Sequence, residues 1–370
     1  MAETPSSQPV RAALRTPICH LFGIEHPIVQ TGMGWVAGAR LVSATAEAGA
    51  LGILASATMT FEELRTAVAE VKARTERPFG VNLRSDHAEI DRFVGLLVAE
   101  HVAVASFAQA PNERLIKRLR DGGVRTMPTV AARRHAEKVA AWGVDALIAQ
   151  GHEGGGHTGA VPTSLLLPQV AAAVGIPVVG AGGFFDGRGL VAALAWGAAG
   201  IAMGTRFLLT AESTVPEAVK ARYLAASVTD TVVTRAVDGY PQRVIRTAMV
   251  DRLERALPGI GLARAATNAL RLRRLTSTSL PALMSEGLAM HKGGDLTWAQ
   301  TAMAANAPML TRAALVEGRV DAGVLPTGQV AGLIEELPTV AELVARIMGE
   351  AGETLERLSS VTSSRPRALG

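Results

Sequence analysis

Short apolar runs and amphipathic stretches alternate along the chain from residue 28 to residue 208. Eight of the runs read as strands. They are Ile28–Gly32 (IVQTG), Leu51–Ser56 (LGILAS), Phe79–Leu83 (FGVNL), Val102–Phe107 (VAVASF), Val124–Val130 (VRTMPTV), Asp145–Gln150 (DALIAQ), Val178–Gly182 (VVGAG) and Gly200–Thr205 (GIAMGT). Most are continuously apolar rather than alternating, the pattern of parallel strands buried on both faces. Between them lie stretches with apolar residues at helical spacing, Phe61–Thr75 and Glu113–Leu119 among them. Gly122-Gly123, Gly143 and Gly175 precede strands, where a helix C-cap would hand the chain on. Eight such units predict an α/β fold, a (β/α)8 TIM barrel, in preference to an open doubly wound sheet.

Beyond Leu209 the pattern changes. Residues 216–315 read as a helical, Arg-rich insertion or lid without strand alternation, and residues 316–350 as a C-terminal return packing on the barrel. Residues 1–15 and 351–370 read as tails, the latter without structure from Ser359, which leaves 16–215 as the cofactor-binding barrel. A length of 370 residues suits one barrel with insertions.

Composition narrows the classes. Hydrophobic residues make up 48% and charged residues 19%, enough to bury a large core. No apolar run reaches the roughly 18 residues of a membrane span. The N-terminal segment MAETPSSQPVRAALRTP lacks the apolar core of a signal peptide, so a cytoplasmic enzyme is expected. A single cysteine, Cys19, allows neither a disulfide framework nor a cysteine metal cluster. The net charge of +4 is too mild for a nucleic-acid footprint. Arginines gather between 243 and 274. They form either a solvated helical face or an anion-binding surface for a phosphorylated carrier such as coenzyme A.

In a barrel the chemistry sits just after each strand. The first strand leads into Thr31-Gly32-Met33-Gly34-Trp35, where glycines let backbone approach a flat ring, or simply form a turn. The third carries Asn82, an amide able to donate and accept at a flavin's pyrimidine edge. The sixth opens into Gln150-Gly151-His152-Glu153-Gly154-Gly155-Gly156-His157-Thr158-Gly159. Five glycines between 151 and 159 weaken a chain segment unless a ligand approaches it closely. His157, inside that loop, is the candidate for proton transfer, with His152 as competitor. Glycine turns after strands seven (Gly180-Ala181-Gly182-Gly183, leading to a helix at Gly187) and eight (Gly204-Thr205) match the common phosphate site of such barrels. None of the five lysines stands at a strand end, which disfavours a Schiff-base aldolase. No His/carboxylate cluster recurs across strand ends, which disfavours a metal hydrolase, and no metal is expected. Proton-coupled redox chemistry on a flavin fits what is left; a non-redox isomerase of a sugar phosphate is the rival from another class.

These motifs carry a resemblance over roughly residues 16–350. The segments are PIVQTGMGWVAG (Pro27–Gly38), AGALGILAS (Ala48–Ser56), RPFGVN (Arg77–Asn82), AQGHEGGGHTG (Ala149–Gly159), GAGGFFDGRG (Gly180–Gly189), MGTRF (Met203–Phe207) and TGQVAGL (Thr327–Leu333). Together they resemble the nitronate monooxygenase (2-nitropropane dioxygenase-like) superfamily of FMN barrels, near its FMN-dependent enoyl-acyl-carrier-protein reductases. The resemblance implies FMN contacts at Gly32, Met33, Asn82, Gln150, Gly155, Gly156, Gly182, Gly183, Gly204 and Thr205, with His157 as the catalytic histidine. The usual loop reads Glu-Ala-Gly-Gly-His-x-Gly; here Gly154 replaces the alanine, and Phe184-Phe185 is bulkier than usual. These departures resemble an actinobacterial steroid-catabolic branch of dehydrogenases. That branch acts on the coenzyme A thioester of a hydroxylated methyl-oxo-octahydroindene carboxylate. His157 would then remove the proton beside the thioester carbonyl while the flavin accepts hydride, and Arg271, Arg273 and Arg274 are candidates for the coenzyme A phosphates. A nitronate monooxygenase and an NAD(P)H-dependent enoyl-thioester reductase remain the alternatives. The electron acceptor is open, a homodimer is one expectation, and neither nucleic acid nor membrane is an expected partner.

Overall fold

The computed structural model describes residues 13–108, 111–255 and 307–363. Among them the chain forms two compact units, one comprising the described residues of 1–152, 160–213 and 337–370, the other those of 153–159 and 214–336.

The strands in chain order are β1 (Ile28–Gln30), β2 (Leu51–Ala55), β3 (Phe79–Leu83), β4 (Val104–Phe107), β5 (Arg125–Val130), β6 (Leu147–Gln150), β7 (Gly156–His157), β8 (Val178–Ala181), β9 (Gly200–Met203), β10 (Thr231–Thr234) and β11 (Gln242–Ile245). In the first unit β1 to β6, β8 and β9 close into a parallel barrel. Closure is made where Val29 of β1 pairs with Ala202 of β9. The continuous apolar runs have the consequence their pattern predicts: every residue of β2, β3, β4, β8 and β9 is buried. Side chains of the helix Pro17–Phe22 (Ile18, Cys19 and Phe22) join one core cluster with Val29, Ile53 and Val104 of the strands.

The intervening helices begin and end as their sequences dictate. The helix Phe61–Arg74 starts with a capping box, Thr60 and Glu63 each satisfying the other's backbone N–H. The helix Glu113–Asp121 starts with Asn112 accepting from the Leu115 N–H at 3.0 Å. Gly123 and Gly143 hold the left-handed backbone that hands the chain to the next strand; Gly175 does not. The helix Val340–Ser363 packs on the helix Gly187–Ala195.

The second unit differs from the all-helical insertion expected for 216–315. It contains helices at Glu217–Leu224, Ala248–Glu254 and Ala307–Leu315, but also β10 and β11, which make an antiparallel sheet in the order β10-β11-β7. Val237, Val244, Val250 and Val324 form its small apolar core. The β-branched run Thr231-Val232-Val233-Thr234 and the Asp238-Gly239 turn override helical spacing here. The return segment divides at Glu336/Leu337 between the units, and the terminal helix continues through Ser359 to Ser363 instead of ending before it. No helix among the described residues is long and apolar enough to cross a membrane.

Candidate functional site

In the first unit the candidate cofactor residues lie at the C-terminal ends of the barrel strands. Gly32 and Met33 follow β1. A Cβ at Gly32 would stand under 3.0 Å from the Asn82 Cβ, so only glycine lets this turn lie against β3. Asn82 is buried, and its Nδ2 donates to the Ser106 Oγ of β4 at 2.9 Å. Its backbone carbonyl accepts from the Ser56 hydroxyl at 2.6 Å. Thus Ser106 of β4 fixes the orientation of the Asn82 amide side chain. Gln150 ends β6, paired in register with Ala181 of β8.

Gly182 and Gly183 follow β8 with φ of 92° and 86°, a left-handed pair that a side chain would strain. The Thr163 hydroxyl donates to the Gly182 carbonyl at 2.9 Å and holds this turn. Gly204 caps the short helix Thr205–Leu208 without a side-chain cap of its own. A Cβ on Gly204 would come within 3.2 Å of the Thr31 Oγ1 and 3.3 Å of the Met33 Sδ, so the turns after β9 and β1 meet.

The helix that follows the Gly182-Gly183 turn has its first amides occupied. Two carboxylates already take its first amides: Asp186 accepts from Gly189 N–H and Glu350 from Gly187 N–H, each at 2.8 Å. Negative charge at that end already complements the helix dipole, so a phosphate would be repelled there. The candidate backbone donors for an anion that remain are those of Gly182-Gly183 and Gly204-Thr205.

His157, Gly155 and Gly156 lie in the second unit. Gly156 and His157 are the two residues of β7, paired with Arg243 and Gln242 of β11. The ladder continues as Thr158 N–H donates to the Pro241 carbonyl at 3.1 Å. On its other side the loop rests on the segment 327–329: Gln329 N–H donates to the Glu153 carbonyl at 3.1 Å. A Cβ on Gly155 would lie 2.5 Å from the Thr327 carbonyl carbon and 2.6 Å from the Gly328 nitrogen. Gly155 therefore serves a close approach of two protein backbones, and the Thr327–Leu333 motif has a structural task in supporting the histidine loop.

The His157 ring meets a carboxylate that the sequence did not single out. Its Nε2 lies 2.7 Å from Asp238 Oδ2, with the histidine side chain 62% exposed and the aspartate 8%. The second oxygen, Oδ1, accepts from the Tyr240 N–H at 3.0 Å, and the Tyr240 ring stands edge-on to the imidazole, centroids 6.0 Å apart. Behind the ladder Arg243 is buried and donates to the Thr231 hydroxyl at 2.9 Å. Burial lowers its guanidinium below the ordinary arginine value, and the charge of Glu153 works in the opposite direction. The competing His152 belongs to the first unit, where its N–H donates to the Val161 carbonyl at 2.8 Å. Arg271, Arg273 and Arg274 lie outside the described residues. The signal for Asp238 was present as an Asp-Gly turn after a β-branched run, and was missed because the segment was read as helical.

The nitronate monooxygenase family model matches residues 15–93 and 89–350. The chain is 57% identical over 351 residues to the (3aS,4S,5R,7aS)-5-hydroxy-7a-methyl-1-oxo-octahydro-1H-indene-4-carboxyl-CoA dehydrogenase of Mycobacterium tuberculosis, covering 94% of this chain and 99% of that one. It is 55% identical to the dehydrogenase of the same name from Rhodococcus jostii, covering 95% and 99%. Among solved structures it is similar to FabK from Thermotoga maritima, with a TM-score of 0.75, 35% identity, and coverage of 94% and 99%.

Proposed function

The chain belongs to the nitronate monooxygenase family, and from that premise we propose that it is an FMN-dependent dehydrogenase of an acyl-CoA thioester. Its substrate class would be the 5-hydroxy-7a-methyl-1-oxo-octahydroindene-4-carboxyl-CoA of steroid ring degradation. The observation that carries this reading is likeness across nearly the whole chain to two dehydrogenases of that name. We assign it to the cytoplasm, with its electron acceptor open.

The residues of the barrel fit the cofactor. Gly32 and Met33 would let the isoalloxazine ring approach backbone, Asn82 and Gln150 would pair with its polar edge, and Gly182, Gly183, Gly204 and Thr205 would hold its phosphate. Gly155 and Gly156 are assigned to the same cofactor on family grounds alone, and Gly155 has its backbone-packing task besides. Bound FMN would supply a two-electron acceptor for hydride leaving the carbon next to the acidified position. His157 would take the proton beside the thioester carbonyl. A histidine suits this role because an imidazole nitrogen can take up and give back a proton. Arg271, Arg273 and Arg274 would meet the coenzyme A phosphates, as forked guanidinium groups do.

The experiment is an anaerobic titration of the flavin-loaded protein with the indene-carboxyl-CoA thioester, NADPH and propionate 3-nitronate in turn. Bleaching by the thioester is expected. Bleaching by NADPH alone would move the assignment to an enoyl-thioester reductase, and oxygen uptake with the nitronate to a nitronate monooxygenase. His157→Ala should keep its flavin absorbance and lose about 10²–10⁴-fold in kcat. Unchanged turnover in that variant would overturn the role given to His157.

A further inference from the structure

We infer that Ser106 is a positioning residue for the flavin. It holds the Asn82 side chain so that the amide oxygen, and not the amide nitrogen, takes the imide N–H of the cofactor's pyrimidine ring. The inference rests on the proposal that the barrel binds a flavin with Asn82 at the polar edge of that ring.

Three neighbours fix Asn82, all within the first unit. The first is Ser106, its direct cross-strand partner between β3 and β4. The Asn82 Nδ2 donates to the Ser106 Oγ at 2.9 Å. Ser106 is 1% exposed and Asn82 8%. The bond is therefore shut away from water, and contact with a ligand falls to Asn82 rather than to Ser106. The second neighbour is Ser56 at the end of β2. The Asn82 carbonyl accepts from the Ser56 N–H at 3.2 Å and from its hydroxyl at 2.6 Å, which pins the main chain. The third is the turn after β1. A Cβ at Gly32 would overlap the Asn82 Cβ and crowd its Cγ, so that side is closed to the side chain. Main chain, first side-chain carbon and amide nitrogen are thus each held by a different element.

Hydrogen-bond chemistry gives this fixation a consequence. A carboxamide has an acceptor oxygen on one arm and a donor nitrogen on the other. With Nδ2 turned to Ser106, the oxygen is the arm left for a ligand. Among the described residues no group donates to that oxygen. Leaving a largely buried acceptor without a donor is unfavourable, so a ligand N–H is the group that suits it. A flavin's pyrimidine ring carries one N–H, at N3, between two carbonyls. The amide oxygen matches the N–H, whereas the amide nitrogen would match a carbonyl. The two arms of a carboxamide are nearly equal in shape, so without the Ser106 hydroxyl the group could turn over. Ser106 thereby sets which group of the cofactor Asn82 recognises, without touching the cofactor itself.

The test reads flavin affinity instead of turnover. Full-length wild type, Ser106→Ala, Asn82→Ala and the double variant are stripped of flavin. Each is titrated with FMN and with N3-methyl-FMN, which lacks the imide N–H, and quenching of flavin fluorescence is followed. Wild type is expected to prefer FMN by about 10-fold or more, the scale of one hydrogen bond whose acceptor is otherwise left unpaired. Ser106→Ala should bind FMN about 10-fold more weakly and lose most of the preference. Ser106→Thr keeps the hydroxyl and should keep the preference. Asn82→Ala should lose the preference too, and adding Ser106→Ala to it should change neither affinity further, because Ser106 acts through Asn82. A wild type that binds both flavins equally, or an undiminished preference in Ser106→Ala, would overturn the inference. So would a Ser106→Ala loss that recurs in full in the Asn82→Ala background, the mark of a merely structural serine. A wild type that binds no flavin would refute the functional proposal itself, and the titration of wild type with FMN alone tells the two failures apart.

Discussion

Gly155→Ala introduces a methyl group into a close backbone crossing of the second unit. Its Cβ would lie 2.5 Å from the Thr327 carbonyl carbon, 2.6 Å from the Gly328 nitrogen and 3.0 Å from the Thr327 Cα. Carbon atoms in contact prefer about 3.5–4.0 Å, so the two segments must part by roughly 1 Å. All three obstructing atoms are main chain, and no rotamer change relieves them. Overpacking of this kind costs about 1–3 kcal/mol. Parting the segments also strains the Gln329 N–H to Glu153 carbonyl bond, now 3.1 Å, worth about 1 kcal/mol. A destabilisation of about 2–4 kcal/mol is expected for the second unit. The neighbouring Gly156→Ala is the control. Its Cβ meets nothing within 4 Å, and its cost comes only from φ of 66°, about 1–2 kcal/mol. Equilibrium urea unfolding of both variants, followed by hydrogen exchange at the β7 and β11 amides, measures the difference. A Gly155→Ala midpoint equal to wild type, or a smaller loss than in Gly156→Ala, would refute the close-approach explanation.

Tyr223→Phe removes the hydroxyl that donates to the Pro326 carbonyl at 2.8 Å from a fully buried position, and should lower stability by about 1–2 kcal/mol in urea titration. Burial holds the Tyr223 phenol far above its ordinary range, so its ultraviolet ionisation is expected only on alkaline unfolding. The Cys19 thiol is buried, and burial raises its pKa above the ordinary value; the reactive thiolate is therefore scarcer at pH 8 than in a free cysteine. Ellman's reagent should leave it unmodified in folded protein and titrate one thiol after denaturation. Rapid reaction of the folded protein would contradict its packing under the barrel.

The barrel was legible because its strands are buried on both faces and so carry unbroken apolar runs. All eight were recognised, and the structure trims their ends by one or two residues at most, as at Val102-Ala103 and Gly204-Thr205. The glycine turns after the seventh and eighth barrel strands were equally legible, since left-handed backbone at Gly182 and Gly183 selects for that residue type. The second unit was harder. Its strands are four residues or shorter, and its small sheet recruits β7 from the middle of the barrel sequence. No local pattern announces a partnership between residues 156–157 and 242–243, because cross-strand pairing leaves no periodic trace when each strand is so short. Asp238 escaped notice for the same reason. A lone acidic residue in a turn looks like a turn former until a distant side chain is brought against it. The capped N-terminus at Gly187 escaped notice because Glu350 arrives from the end of the chain.

The assignment of Glu153–Gly159 to the second unit has a consequence for modularity. A chain shortened by joining Ser213 to Leu337 would retain all eight barrel strands and the glycine turns beside them. It would also retain the histidine heptapeptide, since that lies within the barrel's own stretch of sequence, but without β11, Asp238 or the 327–329 segment to hold it. Such a minimal protein would keep Gly156 and His157 but lose the strand they pair with. Substitutions confined to residues 214–336 can therefore reach the loop that carries His157 while leaving the sequence of every barrel strand unchanged.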